Sequence, residues 1–206
     1  MKFFSPAALI STFFGIGKFP FAPGTIASIV ATIIVALLFY QPHFLTIEGV
    51  RYFAMGANII KPDYIVSVLC IAAVLIHVIG VWASDKYAAA KNLDDPQEVV
   101  IDEVAGIFTS FSLVAVIYAG LLYIDQHEFI LYLMLSYYFF PVILILFRIF
   151  DIAKPWHVGR ADRNLKGGYG IMMDDQIAGL YSAITFFIIF FALKYSGILD
   201  SMIEIR

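Results

Sequence analysis

Residues 166–191 read KGGYGIMMDDQIAGLYSAITFFIIFF and pass from glycines through two adjacent aspartates into a long apolar run. The segment 177–193 contains no charged residue, and its length falls within the roughly 17–25 residues that a helix needs to span a bilayer. Charged groups inside a membrane are costly, so Asp174 and Asp175 belong at its surface or beside a cation. This stretch therefore predicts a membrane fold with a charged site at one end of a helix.

The composition of the whole chain supports a membrane fold. Of the 206 residues, 62% are hydrophobic and only 14% are charged, and the mean hydropathy is +0.89. Soluble domains usually have about a quarter of charged residues. The net charge of −3 argues against nucleic acid as a partner. The single cysteine, Cys70, excludes an internal disulfide and a cysteine metal cluster.

We predict a single all-α domain over residues 1–206, an integral membrane helical bundle with about five spans. The predicted spans are 26–40, 64–84, 104–124, 129–147 and 177–193. The four residues 125–128 predict a tight antiparallel hairpin between the third and fourth spans.

Cationic residues predict the orientation of the bundle. With the N-terminus inside, nine Lys and Arg residues lie on the inner segments and four on the outer ones, which agrees with the positive-inside rule. The segments 15–28, 85–103 and 148–176 then all emerge on the cytoplasmic side. They contain the unusual polar residues, so the sequence predicts one composite site at the cytoplasmic membrane surface.

Two short segments predict how the acidic residues meet. DEVAG (102–106) and DQIAG (175–179) align on their Ala-Gly pairs, and small residues let membrane helices approach closely. Pairing of these helices would bring Asp102, Glu103, Asp174 and Asp175 together. Two like charges about 4 Å apart repel by roughly 4 kcal/mol at an effective dielectric near 20, so a cation between them is expected. All-oxygen ligands favour a hard ion such as Mg²⁺.

Other residues have both a functional and a structural interpretation. Arg148 and Asp151 share a helix face at the end of the fourth span. Arg148 and Lys154 could bind phosphate, or could complement the helix dipole and the lipid headgroups. Gly24 and Thr25 begin a helix whose free amides suit a phosphate, although a plain interfacial turn is equally compatible. The remaining candidate segment, KGGYG (166–170), predicts a turn whose backbone and Lys166 approach the phosphate.

Carboxylates that bind a metal, a pair of cationic side chains and an amide-rich turn together suit phosphate-ester chemistry at a membrane surface. The same residues resemble the phosphatidylglycerophosphatase A family. Its motifs GxGxxPxAPGTxGS, DPxxVVxDExxG and FRxFDxxKPxP…GGxGIMxDDxxAG correspond to Gly15–Ser28, Asp95–Gly106 and Phe147–Gly179. Ala27 stands where the first motif has glycine, and KPWHV (154–158) lacks the second proline; neither departure removes a charged group.

The resemblance implies magnesium-dependent removal of the terminal phosphate from phosphatidylglycerophosphate, a phospholipid substrate, in the bacterial inner membrane. We expect three sets of site residues. The metal ligands are Asp102, Glu103, Asp174 and Asp175, with Asp95 and Asp151 in support. The catalytic residues are Asp102, Glu103, Asp175, Arg148 and Lys154, and the phosphate-binding residues are Gly24, Thr25 and Lys166.

Two other functions fit part of the pattern. A small transporter could use the acidic residues to bind a coupling ion, but it would place ionisable residues near the middle of its spans. Spans two to five contain only His77 there. A non-catalytic membrane subunit is the other alternative, and it would have no need of an acidic cluster.

Overall fold

The computed structural model describes residues 5–47, 50–57, 62–122 and 138–196. Within these ranges seven α-helices, one 3₁₀ turn and one two-stranded hairpin follow one another. The elements are α1 (Pro6–Ser11), the 3₁₀ turn (Ile16–Lys18), α2 (Pro23–Phe39), β1 (Tyr40–Ile47), β2 (Val50–Ala57), α3 (Pro62–Lys91), α4 (Ile101–Leu122), α5 (Phe139–Ala153), α6 (Trp156–Asn164) and α7 (Gly167–Tyr195). The predicted helical membrane fold is confirmed.

Three of the predicted spans are helices long and apolar enough to cross a membrane. They cover Val66–Lys91, Ile101–Leu121 and Gly167–Tyr195. The first predicted span corresponds to α2, a shorter apolar helix. The fourth corresponds in part to α5; its predicted start at residue 129 and the hairpin at 125–128 lie outside the described residues.

The connection between α2 and α3 contains an antiparallel hairpin that the sequence did not predict. Tyr40 pairs with Ala57 at its open end, and Ile47 pairs with Val50 beside the turn. Aromatic and β-branched residues, which favour strands, occur in both segments. The hairpin is an addition to the predicted all-helical fold.

Two helices are longer than the membrane requires. α3 has 30 residues and α7 has 29, so at about 1.5 Å per residue each exceeds the hydrocarbon thickness of about 30 Å. The charged residues of both helices lie mainly at one end of the bundle, where α3 ends and α7 begins. We call this end of the bundle the site end. At the site end roughly ten residues of each helix can extend beyond the hydrocarbon core, since about 20 residues are enough to span it.

Glycine allows α4 and α7 to pack backbone to backbone. A Cβ atom on Gly179 would lie 2.6 Å from the carbonyl oxygen of Gly106, and one on Gly106 would lie 2.8 Å from the carbonyl oxygen of Asp175. The pairing predicted from the two Ala-Gly segments is therefore present. Farther along the bundle, the buried ring of Phe139 on α5 lies between Phe111 of α4 and Phe186 of α7, at centroid distances of 5.5 and 5.6 Å.

The start of α7 packs against the end of α3 through a second glycine. A Cβ atom on Gly168 would overlap the carbonyl oxygen of Val81, and the Gly168 N–H donates to Asp85 Oδ1 at 3.2 Å. The prediction of a turn over residues 166–170 is wrong, because α7 already begins at Gly167. The Asp85 carboxylate accepts from a first-turn amide, which stabilises this early start.

We expect Gly179→Ala to destabilise the protein by about 1–3 kcal/mol, because the added methyl group meets backbone that has no room to move. Gly120→Ala is the matched control: no described residue has an atom within 4 Å of its Cβ position, and alanine is the better helix former. Thermal unfolding in detergent measures both variants. Equal unfolding midpoints for the two would contradict the close contact of α4 and α7.

Candidate active site

A polar cavity of about 330 Å³ opens at the site end of the bundle. The first turns of α2 and α4, the third turn of α7, the end of α5 and the loop after α3 form its walls. Ten of the predicted site residues line it: Gly24, Thr25, Asp95, Asp102, Glu103, Arg148, Asp151, Lys154, Asp174 and Asp175. Residues from the three segments 15–28, 85–103 and 148–176 thus line one cavity.

Lys166 is the predicted site residue that the fold places elsewhere. It lines a smaller neighbouring cavity of about 60 Å³. Its side chain is 72% exposed and lies 3.4 Å from Asp94 Oδ2. Gly167 and Gly168 pack against α3, and this contact fixes the backbone next to Lys166. The Lys166 side chain therefore lies at the exposed edge of the smaller cavity.

Three carboxylates form the deepest acidic group of the cavity. Asp102, Glu103 and Asp175 each offer one oxygen, and these oxygens all lie within 4.8 Å of one another. The first two lie in the first turn of α4, where the helix dipole favours negative charge. Asp175 approaches from α7 and is only 3% exposed. Carboxylate oxygens at this spacing are suited to sharing one cation.

Glu103 is held in place by two neighbours. Its Oε1 atom lies against Gly24, whose missing side chain leaves the room for it. Arg148 Nη1 lies 4.0 Å from the same atom and also pairs with Asp151. Among the described residues, the buried Glu103 Oε2 has no hydrogen-bond partner. A buried carboxylate oxygen without a partner is costly, and a bound cation would remove that cost.

The two adjacent aspartates have different partners. Asp174 Oδ2 accepts from Lys154 Nζ at 2.8 Å, and the same ammonium group pairs with Asp162 on α6. Burial lowers the pKa of Lys154, but the hydrogen bonds to Asp162 and Asp174 outweigh it and raise the pKa above its usual value. Lys154 therefore stays protonated at neutral pH.

Sequence reasoning missed Asp162. Eight residues separate it from Lys154, and Pro155 ends the helix between them. No helical spacing relates the two positions, so only the fold of α6 against α7 reveals the pair.

The loop that carries Asp95 is fixed from both sides. Glu98 accepts from Lys91 Nζ at 2.8 Å and from the Tyr87 hydroxyl, and these hydrogen bonds lower the pKa of Glu98. Val100 N–H donates to the Ser11 carbonyl oxygen at 2.9 Å. Burial raises the pKa of the Asp95 carboxyl, although nearby Lys154 opposes this shift. Asp95 lies at the border of both cavities.

The charge of the large cavity is strongly unbalanced. Among the described residues, six carboxylates line it, against the two cationic side chains of Arg148 and Lys154. The amides at the start of α2 and α4 add partial positive charge. A cavity with this excess of acidic groups is better suited to bind a cation than a bare anion.

The sequence profile of the phosphatidylglycerophosphatase A family matches residues 9–190, which is most of the chain. The chain belongs to this family. As a family member it is an enzyme, a phosphoric monoester hydrolase. All the lining carboxylates and both cations lie inside the matched region.

Three relatives are similar to this chain over most of its length. A Bacteroides thetaiotaomicron protein with the provisional name phosphatidylinositol-3-phosphatase is 34% identical, over 85% of this chain and 88% of its own. Phosphatidylglycerophosphatase A of Haemophilus influenzae is 28% identical, over 90% and 89%. The Escherichia coli protein of that name is 26% identical, over 91% and 86%. No solved structure matches the chain.

Gly24→Ala tests the packing of Glu103 in this phosphatidylglycerophosphatase A family member. The new methyl group would occupy the position of Glu103 Oε1 and displace a carboxylate from the acidic group. We expect phosphatase activity to fall at least about tenfold, in line with a misplaced active-site group, while the unfolding midpoint changes little. Gly120→Ala again serves as the control. Full activity of Gly24→Ala would contradict the assigned position of Glu103.

Proposed function

We propose that this chain is a magnesium-dependent lipid phosphatase that hydrolyses phosphatidylglycerophosphate to phosphatidylglycerol and inorganic phosphate. The observation that carries the proposal is the group of three carboxylate oxygens within 4.8 Å of one another, in the cavity that also contains Arg148 and Lys154. Family membership supports the reaction class. The proposal adds two things to the reaction class: the identity of the metal, magnesium, and the identity of the lipid substrate.

The donor set fits magnesium. Asp102, Glu103 and Asp175 would hold the ion through oxygen atoms, and in the part of the chain that the structure describes neither a histidine nor Cys70 lines the cavity. Hard oxygen ligands favour Mg²⁺ over zinc. The partnerless Glu103 Oε2 supports a cation at this position. When bound, the ion supplies Lewis-acid polarisation of a phosphoryl oxygen and a more acidic water.

The protein's own groups would bind and orient the phosphate. Arg148 and Lys154 face the cavity and would offset the charge of the phosphoryl oxygens. The first-turn N–H groups of Gly24 and Thr25 have no intrahelical acceptor and can donate to the same phosphate. Asp151 fixes the Arg148 guanidinium. Hydrolysis breaks the P–O bond of the monoester, and water supplies the oxygen that leaves with phosphate.

The geometry is compatible with two nucleophiles. A carboxylate of the acidic group could accept a proton from an attacking water, which gives direct hydrolysis. Alternatively an aspartate could attack phosphorus itself and form an acyl phosphate that water then cleaves. The stereochemical course at phosphorus separates the two routes, because direct attack by water inverts the configuration whereas two successive displacements retain it.

A second substrate is favoured by one observation. The relative with 34% identity bears the provisional name phosphatidylinositol-3-phosphatase, whereas the two named for phosphatidylglycerophosphate are 26% and 28% identical. Phosphatidylinositol 3-phosphate also carries a phosphomonoester on a lipid headgroup. The same cavity chemistry would therefore act on either lipid.

The proposed location is the bacterial inner membrane, with the site facing the cytoplasm. Long apolar helices support a membrane location. The excess of Lys and Arg on the segments that form the site end supports the cytoplasmic orientation. The lipid phosphate would then enter the cavity from the inner leaflet.

We expect Asp102→Asn and Asp175→Asn each to lower phosphate release by about 10³-fold or more, because each removes a charge on which transition-state stabilisation depends. Asp94→Asn, on the exposed rim, is the matched control. Purified protein in detergent is assayed with phosphatidylglycerophosphate and with phosphatidylinositol 3-phosphate. Near-normal turnover of both variants would refute the assigned site, and preference for the inositol lipid would replace the proposed substrate.

Magnesium should also stabilise the folded protein, since it would offset repulsion among buried carboxylates. Binding at one hundred times the dissociation constant adds about 2.7 kcal/mol to the free energy of unfolding. We therefore expect EDTA to lower the unfolding midpoint and magnesium to restore it. The shift should persist in Asp94→Asn and disappear in Asp102→Asn. A wild-type midpoint that is insensitive to magnesium would count against the metal site.

A further inference from the structure

We propose that Asp162 is a positioning residue that holds the Lys154 ammonium group in place to bind the substrate phosphate. Lys154 Nζ pairs with both Asp162 on α6 and Asp174 on α7. This inference assigns a further residue to the proposed function. It depends on one part of that function, the binding of phosphate in the large cavity.

The location of the three groups supports this role. Lys154 lines the large cavity, Asp162 lines the small neighbouring one, and Asp174 borders both. Asp162 therefore lies on the side of the ammonium group away from the phosphate site. An ammonium group has three N–H donors, and two of them are used by the carboxylates. The third remains for a phosphate oxygen in the large cavity.

The backbone of Lys154 shows that its position is specified. It has φ 44° and ψ 52°, the left-handed region, between the end of α5 and Pro155. A residue with a side chain rarely adopts this conformation unless its surroundings enforce it. The lysine side chain is itself flexible. The ion pairs with Asp162 on α6 and Asp174 on α7 therefore fix the position and orientation of the Lys154 ammonium group.

Simple electrostatics makes the opposite prediction for the role of Asp162. Six carboxylates already line the large cavity, and one more negative charge beside it should weaken phosphate binding. If Asp162 acted only through its charge, its neutralisation would strengthen phosphate binding. If it positions Lys154, its neutralisation would weaken phosphate binding. The sign of the change distinguishes the two roles.

The test measures the dissociation constant of inorganic phosphate by ³¹P NMR, on full-length protein in detergent with magnesium. We expect Lys154→Met to weaken binding by about ten- to a hundredfold, as for a lost hydrogen bond to a charged group. Asp162→Asn should weaken it by roughly three- to tenfold, and Asp162→Glu should restore most of the loss. In the Lys154→Met background, Asp162→Asn should cause no further loss of affinity, because Asp162 no longer has an ammonium group to position.

Asp94→Asn is the matched control, since Asp94 pairs with exposed Lys166 on the rim of the small cavity. It removes the same charge and should leave phosphate affinity unchanged. Unchanged or tighter binding in Asp162→Asn would overturn the proposal, and so would additive losses in the double variant. A lower unfolding midpoint with normal phosphate affinity would show a purely structural role.

The proposed function fails in a different way. Wild-type protein that binds phosphate but hydrolyses neither lipid would refute the substrate assignment, while the effect of Asp162 on phosphate affinity would stand. Wild-type protein that binds no phosphate would overturn both proposals.

Discussion

The close approach of α4 and α7 is the constraint on which the rest of the site depends. Gly106 and Gly179 leave no side chain between the helices, so the backbones touch one turn from Asp102 and Asp175. At that separation carboxylates from both helices come within reach of a single cation. A side chain at either glycine would move the helices apart and increase the distance between the acids. The packing of α4 against α7 thus determines the spacing of the carboxylates at the site end.

The position of the acidic group also explains how a membrane protein can tolerate so much charge. α3 and α7 are longer than the hydrocarbon core requires, so the charged turns can lie at headgroup level. The amides at the start of α4 partly compensate Asp102 and Glu103. An excess of acidic groups remains among the described lining residues, and the proposed metal ion would offset it.

Adjacent residues in the sequence have separate roles in the fold. Asp175 joins the acidic group with Asp102 and Glu103, whereas Asp174 pairs with Lys154. Successive side chains on a helix point about 100° apart, so two neighbouring aspartates face different partners. One side of the cavity is therefore suited to a cation and the other to the phosphate that the cation attracts.

Composition was enough to predict the helical membrane fold, since a chain with so few charged residues cannot cover itself in water, and the motifs indicated which polar segments meet. The aligned Ala-Gly pairs also predicted the contact between α4 and α7. The start of α7 depends on long-range packing, because Gly167 and Gly168 pack on α3 instead of forming a turn. The tertiary structure also decided the partner of Lys154: Asp162 is related to it by helix packing, which no local spacing in the sequence encodes.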